Sequence, residues 1–197
     1  MKNLRPCIVI FVILTALTGV LYPLAVTVVS QLFFRDKANG SLLTIGEDTR
    51  GSLLIGQRFE NPAYFRSRPS KSDYSAMPSG ASNQGPTSEA LRQAVEDRES
   101  ELSSTIPGRI PPDLLLASGS GLDPHISPEA AFAQIDHVAK ARNLSPQQKT
   151  GLTELVKRCI EEPQWGIFGA PRVNVLKLNL AADGLFGTPV SEGAQER

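Results

Sequence analysis

The sequence has few residues of the types that build disulfides, metal centres or redox sites. Its 197 residues include only two cysteines, Cys7 and Cys159, and two histidines, His125 and His137. The cysteines lie far apart and have neither the spacing of a disulfide framework nor that of a zinc site. The sequence therefore indicates neither a disulfide-stapled fold nor a His/Cys metal site.

The sequence also lacks an excess of charge of either sign. Lys plus Arg and Asp plus Glu each total 20, so the formal net charge is zero, and the composition does not favour nucleic acid as a partner. The dipeptide Gly-Lys is absent, which excludes the G-x-x-x-x-G-K-S/T loop that binds nucleotide phosphates in many ATPases. The chain therefore carries no familiar ATP-hydrolysing motif.

One long run without any charged residue extends over residues 6–34. The run exceeds the ~20 apolar residues that a helix needs to cross a bilayer. A secretory signal would have a shorter apolar core. The other alternative, a fully buried helix of a soluble protein, is disfavoured because the run has no polar face. We therefore predict a membrane anchor in residues 1–35, with a helix over about residues 8–30 and the lipid bilayer as a partner.

Three residues of this helix are candidates for packing against other membrane helices. Thr15 and Gly19 are four residues apart, a spacing of small residues that lets helix backbones approach closely. Pro23 removes a backbone donor and predicts a local distortion, which neighbouring helices often accommodate. Because Lys and Arg residues flank the run at both ends, charge bias alone does not fix the orientation of the helix.

Residues 36–197 predict a single small soluble domain of the α+β class. Residues 60–88 form a polar loop rich in Ser, Pro, Gly and Asn. Its interspersed aromatic side chains favour an ordered loop that packs on a partner or on its own domain over a disordered one. Short strands are predicted at residues 42–45 and 53–55, and a longer strand at residues 173–180 precedes a turn at residues 183–184. The alternation of the longer strand slips between Val175 and Leu176, which suggests a bulge or burial on both faces.

Three amphipathic helices are predicted from their N-terminal signals. The first begins at Thr87 or Ser88, the second has Ser127 as its N-cap, and the third has Ser145 as its N-cap with Gln148 completing a capping box. A histidine within the second helix, His137, is interpreted as a surface or hydrogen-bonded residue. The apolar positions expected in the core are Ala131, Ile135, Val138 and Ala139 of the second helix, and Leu152, Leu155, Val156 and Cys159 of the third.

A glycine-rich turn, S-G-S-G-L-D-P-H-I-S at residues 118–127, leads directly into the second helix. Gly119 and Gly121 permit backbone angles that other residues avoid, and Pro124 restricts the path that follows. We interpret the segment as a structural turn whose Ser and Asp side chains cap backbone groups and whose exposed groups contact a partner.

The same turn contains the residue types of a catalytic triad. Ser118 or Ser120 would be the nucleophile, His125 the base and Asp123 the residue that orients it. Such triads converge from separated segments, whereas these residues are crowded into one turn, and no G-x-S-x-G elbow is present. The spacing therefore disfavours a catalytic site.

The turn resembles the signature of the C subunit of the bacterial Kdp potassium-transporting P-type ATPase. Four further motifs agree with that family, in the family's order, so the resemblance covers nearly the whole chain. They are G-S-L-L-I-G-Q at residues 51–57 followed by Phe59, Y-F-x-x-R-P-S at residues 64–70, S-G-A-S-N-x-G-P at residues 79–86, and P-x-V-N-V-L-x-L-N-L at residues 171–180.

The resemblance implies an accessory, non-catalytic subunit of an ATP-driven, high-affinity potassium importer. Such a subunit assembles and stabilises the complex and acts as a catalytic chaperone that raises the ATP affinity of the ATPase subunit. The implied partners are a channel-like potassium-translocating subunit and a P-type ATPase subunit. Potassium would be handled by the complex, no cofactor would be bound covalently, and contact with ATP is implied by the family only.

The resemblance also implies a single-pass protein of the bacterial inner membrane, with a cytoplasmic N-terminus and a periplasmic, extracytoplasmic C-terminal domain. A domain outside the cytoplasm cannot touch cytosolic ATP, so its effect on the ATPase would be conformational coupling or control of the external ion entrance. The absence of an Asp-Lys-Thr-Gly-Thr segment like that phosphorylated in P-type pumps agrees with an accessory role.

We hypothesise that two segments dock on partner subunits or shape the ion entrance. The alternatives are a membrane-anchored extracytoplasmic enzyme, which a serine-directed phosphonate would label, and a ligand-binding module, which its ligand would stabilise thermally. The docking residues are Ser79, Gly80, Ser82, Asn83, Gly85 and Pro86 in the polar loop, and Ser118, Gly119, Ser120, Gly121, Asp123, Pro124 and His125 in the turn.

Overall fold

A computed structural model of the protein describes residues 3–46 and 48–189. Residues 1–2, 47 and 190–197, which the predicted anchor and domain include, lie outside the described residues. The chain forms two compact units, Met1–Ser52 and Leu53–Arg197. One N-terminal apolar helix precedes a small region of mixed helix and strand, which confirms the predicted α+β class.

A continuous apolar helix, Leu4–Phe33, dominates the first unit. It comprises α1 (Leu4–Ala16), a π-helical turn (Leu17–Leu21) and α2 (Tyr22–Phe33). None of its residues is buried within the protein, and its mean hydropathy reaches 2.4. Its length of 30 residues and its composition fit one membrane crossing.

The π-helical turn lies just before Pro23 and has a local cause. Proline has no N–H to donate to the carbonyl oxygen of Gly19, the normal partner four residues earlier. The preceding residue, Tyr22, donates its N–H to the carbonyl oxygen of Leu17, which lies five residues earlier rather than the usual four. The predicted distortion at Pro23 is therefore a π turn, which keeps the helix continuous.

A short helix and a β-hairpin complete the first unit. Helix α3 (Arg35–Ala38) is followed by the antiparallel strands β1 (Leu42–Ile45) and β2 (Asp48–Ser52). The strand predicted at residues 42–45 is confirmed, whereas the one predicted at residues 53–55 is wrong, because these residues form a turn. The sequence D-T-R-G-S of β2 has no apolar alternation, so only its backbone pairing with β1 identifies it as a strand.

The second unit packs helices around a small antiparallel sheet with the strand order β3-β5-β4. Its largest fully buried side chains include Phe65, Ile126, Leu152 and Leu178. Its elements are α4 (Glu89–Ser103), α5 (Pro112–Leu115), β3 (His125–Ile126), α6 (Pro128–Ala141), α7 (Pro146–Arg158), β4 (Ile160–Glu161), β5 (Arg172–Asn174) and α8 (Val175–Phe186).

The three predicted helix starts are confirmed as those of α4, α6 and α7. The side chains of Ser88, Ser127 and Ser145 each accept a hydrogen bond from the backbone N–H three residues later, and Ser145 with Gln148 forms a full capping box. Cys159 is half-buried at the C-cap of α7. The other predicted core positions are buried, namely Ala131, Ile135, Val138, Ala139, Leu152, Leu155 and Val156.

The strand predicted at residues 173–180 is wrong beyond Asn174. Strand β5 ends there, and α8 begins at Val175 and continues through residues 183–184, where a turn was expected. The Asn174 side chain accepts a hydrogen bond from the Lys177 N–H at 3.1 Å and so caps the helix. The slip in alternation at Val175 is not a bulge, whereas burial on both faces is confirmed, because the successive residues Val173 and Asn174 of β5 are both buried. The slip marks the change from a two-residue period to a helical one.

Candidate functional site

The glycine-rich turn lies directly against the polar loop. The Ser118 N–H donates to the Pro69 carbonyl oxygen at 3.0 Å. Gly121 has a φ of +72°, and a Cβ added there would lie 2.7 Å from Ser72 Oγ and 3.0 Å from the Gly80 carbonyl oxygen. Only glycine fits this approach. The two segments that the sequence singled out separately therefore form one surface, the turn–loop surface (residues 67–86 and 118–125).

The other side of the turn is held by the motif at residues 51–57 and by the start of α8. The Gly56 N–H donates to the Leu122 carbonyl oxygen at 2.7 Å. A Cβ on Gly56 would lie 2.6 Å from the Asp123 carbonyl oxygen. The Val175 N–H donates to the Pro124 carbonyl oxygen at 3.0 Å. Backbone contacts thus hold the turn on both sides.

Asp123 connects the turn to the loop. Its Oδ2 accepts a hydrogen bond from Arg68 Nη1 at 3.1 Å, and its Oδ1 accepts one from the His125 N–H at 3.0 Å. Burial alone would raise the pKa of the Asp123 carboxyl, but hydrogen bonds from His125 and Arg68 favour the ionised form and leave the pKa below its ordinary value. Asp123 is therefore a structural anion at neutral pH.

His125 extends this network toward the sheet. Its Nδ1 lies 3.6 Å from Asp123 Oδ1, and its Nε2 lies 3.9 Å from Glu161 Oε2. Glu161 also lies within 3.4 Å of Arg172 Nε and 3.7 Å of Lys177 Nζ. The His125 ring thus lies between a carboxylate of the turn and a carboxylate of β4.

The serines of the turn are not arranged as nucleophiles. Ser118 is only 2% exposed, and Ser120 Oγ accepts a hydrogen bond from the Leu122 N–H at 3.0 Å. In the part of the chain that the structure describes, neither hydroxyl is hydrogen-bonded to His125. The geometry favours the structural interpretation of the turn over a triad.

The remaining predicted docking residues differ in their exposure. Gly80 and Ser82 are half-buried, and Gly80 faces the turn through its contact with Gly121. A Cβ added at Gly85 or Gly119 would meet nothing within 4 Å. The exposed docking residues are Ser79, Asn83, Gly85, Pro86, Gly119 and Ser120.

The three residues predicted to pack in the membrane all lie on the apolar helix and are exposed. Thr15 belongs to α1, Gly19 to the π-helical turn and Pro23 to α2. A Cβ at Gly19 would meet nothing within 4 Å. Their contact with another helix stays a prediction.

Two buried amide side chains that the sequence did not point to hold the start of the polar loop. Asn179 Oδ1 accepts from the Phe65 N–H at 2.8 Å, and its Nδ2 donates to the Phe65 carbonyl oxygen at 3.0 Å. Gln134 Oε1 accepts from the Arg66 N–H at 2.7 Å. These amides replace the backbone partners that a strand would supply. The sequence feature that could have indicated these two residues is the presence of an Asn and a Gln on the apolar faces of their helices.

A buried ion pair was also missed. Arg142, at the end of α6, pairs with Asp183 of α8, with 2.7 Å between Nη2 and Oδ1. Its Nε donates to the Ala63 carbonyl oxygen at 2.7 Å, and its guanidinium lies 5.1 Å from the centre of the Tyr64 ring. The Tyr64 hydroxyl donates to Asp183 Oδ2 at 3.0 Å. This cluster joins the polar loop to α6 and α8. It therefore holds the loop in place and is not part of an exposed site.

The polar loop and α4 contribute to the lining of an open cavity of about 450 Å³. The hydroxyl of Ser67 is buried and has no hydrogen-bond partner among the described residues. Within the described part of the chain, no three His, Cys, Asp or Glu side chains come together as metal ligands would. The cavity lining includes Arg58, Phe59, Arg66, Ser67, Tyr74 and Arg98.

His137 differs from the expectation of a hydrogen-bonded residue. It is half-buried on α6, and its Nε2 is buried without a hydrogen-bond partner among the described residues. Burial, together with the positive charges of Arg66 and Lys140, lowers the pKa of its imidazole below the ordinary value. The residue is therefore held in its neutral form.

Comparison with known proteins gives consistent matches over almost the whole chain. The family model KdpC, described as the K+-transporting ATPase c chain, matches residues 4–184. A potassium-transporting ATPase KdpC subunit of Dechloromonas aromatica is 50% identical over 186 residues, covering 91% of this chain and 96% of the relative. The corresponding subunit of Polynucleobacter asymbioticus is 49% identical over 191 residues, covering 93% and 100%. That of Methylococcus capsulatus is 48% identical over 190 residues, covering 93% and 98%.

Proposed function

The chain belongs to the KdpC family of potassium-transporting ATPase subunits, and from this membership we propose that it is an accessory, non-catalytic subunit of an ATP-driven potassium import complex. The observation that carries the proposal is the match over residues 4–184 to the family described as the K+-transporting ATPase c chain. The turn supports it, because its Asp, His and Ser side chains make the bonds of a rigid surface instead of a reaction centre.

The proposed partners are a channel-like potassium-translocating subunit and a P-type ATPase subunit. The proposed location is the bacterial inner membrane, with the helix Leu4–Phe33 as the single span, the N-terminus in the cytoplasm and the second unit outside. The described residues contain one apolar helix, so the proposed ion path lies in another subunit. The sequence has no phosphate-binding loop, so we assign ATP hydrolysis to another subunit as well.

The turn–loop surface is the proposed docking or shaping element. Its backbone is fixed by the close approach at Gly121 and by the bonds of Asp123. A surface that is already ordered loses less conformational freedom on binding. Its exposed members Gly119 and Gly85 carry no side chain, so the backbone of a partner can come close to their peptide groups.

The proposed effect on ATP is a coupling between sites. If this subunit raises the ATP affinity of the ATPase subunit by some factor, then bound ATP must tighten the attachment of this subunit by the same factor. The test measures the affinity of the chain for the remaining complex with and without a non-hydrolysable ATP analogue. Equal affinities would contradict the chaperone role and leave the assembly role standing.

Assembly itself is tested by purifying the tagged full chain in mild detergent from potassium-starved cells. Recovery of a P-type ATPase and a multi-span potassium subunit is expected. Recovery of the intact chain alone would contradict the accessory role.

A second candidate function, a ligand-binding module, is favoured by the cavity of about 450 Å³, which has the size of a small-molecule site. Binding would raise the melting temperature of the full chain without any partner subunit. The enzyme alternative uses Ser120 and His125 and predicts stoichiometric labelling by a serine-directed phosphonate. It is disfavoured because Ser120 Oγ accepts a hydrogen bond from the Leu122 N–H at 3.0 Å and is not hydrogen-bonded to His125 among the described residues.

A further inference from the structure

An exposed apolar tip lies on the connection between β4 and β5. Three neighbouring side chains of this aromatic loop (residues 163–171), Trp165, Ile167 and Phe168, are 87%, 77% and 61% exposed. The Trp165 and Phe168 rings meet edge to face, with their centroids 5.9 Å apart. Clustered large apolar side chains on a soluble surface mark a contact site.

The backbone of the aromatic loop is closed on itself. The Gln164 N–H donates to the Phe168 carbonyl oxygen at 2.9 Å, and the Phe168 N–H donates to the Gln164 carbonyl oxygen at 3.0 Å. The Gly166 and Ile167 N–H groups donate to the carbonyl oxygens of Pro163 and Gln164 at 2.9 and 3.2 Å. An unpaired N–H is costly to remove from water. These four donors have partners already, which lowers the cost of moving the loop out of water.

The charges around the aromatic loop are balanced. Residues 163–171 contain no charged side chain. At the base of the loop, Arg172 and Lys177 lie near Glu161, and Glu162 is exposed beside it. Two cations and two carboxylates therefore flank the loop, so the loop does not carry the net charge that would attract a strongly charged partner. Its chemistry is that of an apolar tip.

We propose that the aromatic loop inserts its tip into the interfacial layer of the lipid bilayer. Tryptophan suits this layer because its ring is largely apolar while its indole N–H can reach water, and phenylalanine adds apolar area to the tip. The helix Leu4–Phe33 fits a membrane crossing, so the same chain holds the loop at a high effective concentration of lipid. A stable protein interface needs about 800 Å² from each partner, whereas shallow insertion needs only a small apolar tip.

Insertion gives the second unit a second attachment to the membrane. The inference holds for either orientation of the chain and does not depend on a role in potassium import. Because apolar burial drives the insertion and the flanking charges cancel, insertion persists when the ionic strength is raised.

The intrinsic fluorescence of the chain tests the proposal directly, because Trp165 is the only tryptophan. The full chain is reconstituted in phosphatidylcholine vesicles with ordinary or brominated acyl chains. We expect emission at a shorter wavelength than for tryptophan in water, loss of intensity in brominated vesicles, and no change at high salt. Emission that acrylamide quenches and brominated lipid does not would overturn the proposal.

Two variants keep a single tryptophan and control the measurement. The double variant Ile167→Ser/Phe168→Ser retains Trp165 and is expected to lose most of the quenching by brominated lipid. The double variant Trp165→Phe/Leu185→Trp places the probe on α8, where Leu185 is 61% exposed, and is expected to be insensitive to brominated lipid. If brominated lipid quenched the α8 probe as strongly as it quenches Trp165, the surface would contact lipid as a whole. That result would refute insertion by the tip alone.

The assembled complex distinguishes a lipid from a protein occupant. Trp165→p-benzoylphenylalanine places a photo-crosslinker at the tip in native membranes. Crosslinking to lipid, with no shifted protein band, is expected. A crosslink to another polypeptide would overturn the proposal and assign the tip to a protein interface.

Discussion

Arg68 and Asp123 form the ion pair that joins the polar loop to the glycine-rich turn, with 3.1 Å between Nη1 and Oδ2. Both side chains are about one third exposed or less, so the pair is only partly screened by water. The Nε of Arg68 is buried and has no hydrogen-bond partner among the described residues. The guanidinium is therefore held at the turn chiefly by Asp123, which makes this carboxylate the central residue of the turn–loop surface.

Replacing Asp123 by Ala should weaken both the fold and the complex. The change removes the acceptor for Arg68 Nη1 and for the His125 N–H, and hydrogen bonds to charged groups contribute about 1.5–3 kcal/mol each at most. We expect a lower melting temperature for the full chain in detergent and a reduced yield of the complex. His125→Ala, which removes only the ring, should reduce complex yield or potassium affinity with a smaller loss of stability.

The matched control is Asp136→Ala, which removes an exposed carboxylate paired with Lys149 at 2.8 Å and should have little effect. Normal complex yield and normal transport in both Asp123→Ala and His125→Ala would refute the docking role of the turn.

Alanine at Gly121 or Gly56 should be destabilising, while alanine at Gly119 should not. The added Cβ would lie 2.7 Å from Ser72 Oγ at Gly121 and 2.6 Å from the Asp123 carbonyl oxygen at Gly56, whereas it would meet nothing at Gly119. The positive φ of Gly121 adds backbone strain. We expect losses above about 1 kcal/mol at the first two positions, measured as shifts in the melting temperature. Equal shifts for all three variants would contradict the packing of the turn.

Asn179→Ala should release the start of the polar loop. The change leaves the buried N–H and carbonyl oxygen of Phe65 without partners, and each unsatisfied group costs about 1–3 kcal/mol. Limited trypsin digestion should then cut near Arg66 and Lys71 faster than in the wild-type chain. Gln147→Ala, at an exposed position of α7, is the control and should digest at the wild-type rate. Unchanged digestion of Asn179→Ala would show that the amide does not hold the loop.

His137 and Asp123 should give the stability of the chain two separate responses to acid. The pKa values of both groups are lowered by the fold, so the unfolded chain binds protons before the folded chain does, and stability falls as the pH falls. For His137 the loss begins near the unfolded pKa of about 6.5, and for Asp123 it begins near about 3.9. His137→Gln should abolish the upper response and retain the lower one in melting curves recorded across this range. An upper response of unchanged size in that variant would assign it to another group.

Much of the secondary structure and the candidate membrane span follow from the sequence by itself. The N-terminal signals at Ser88, Ser127 and Ser145 act over three residues, so they are complete in the local sequence. The apolar helix, predicted from composition over about residues 8–30, extends over Leu4–Phe33, and its composition fits a membrane crossing because lipid tolerates few charges. The turn and the polar loop were both recognised as special segments from their glycines, prolines and motifs.

Only the tertiary structure decided that the turn and the loop form one surface, and that Asn174 ends a strand and starts a helix. A Cβ at Gly121 would clash with residues of a distant loop, and Asn179 bonds a residue 114 positions away. No local sequence pattern encodes such a contact, because the two residues are distant in sequence and meet only when the chain folds. By propensity, the run of Val, Leu and Asn after residue 172 is compatible with a strand or with a helix. Pairing with the neighbouring strands makes its first part the strand β5, and packing against the core makes the remainder the helix α8.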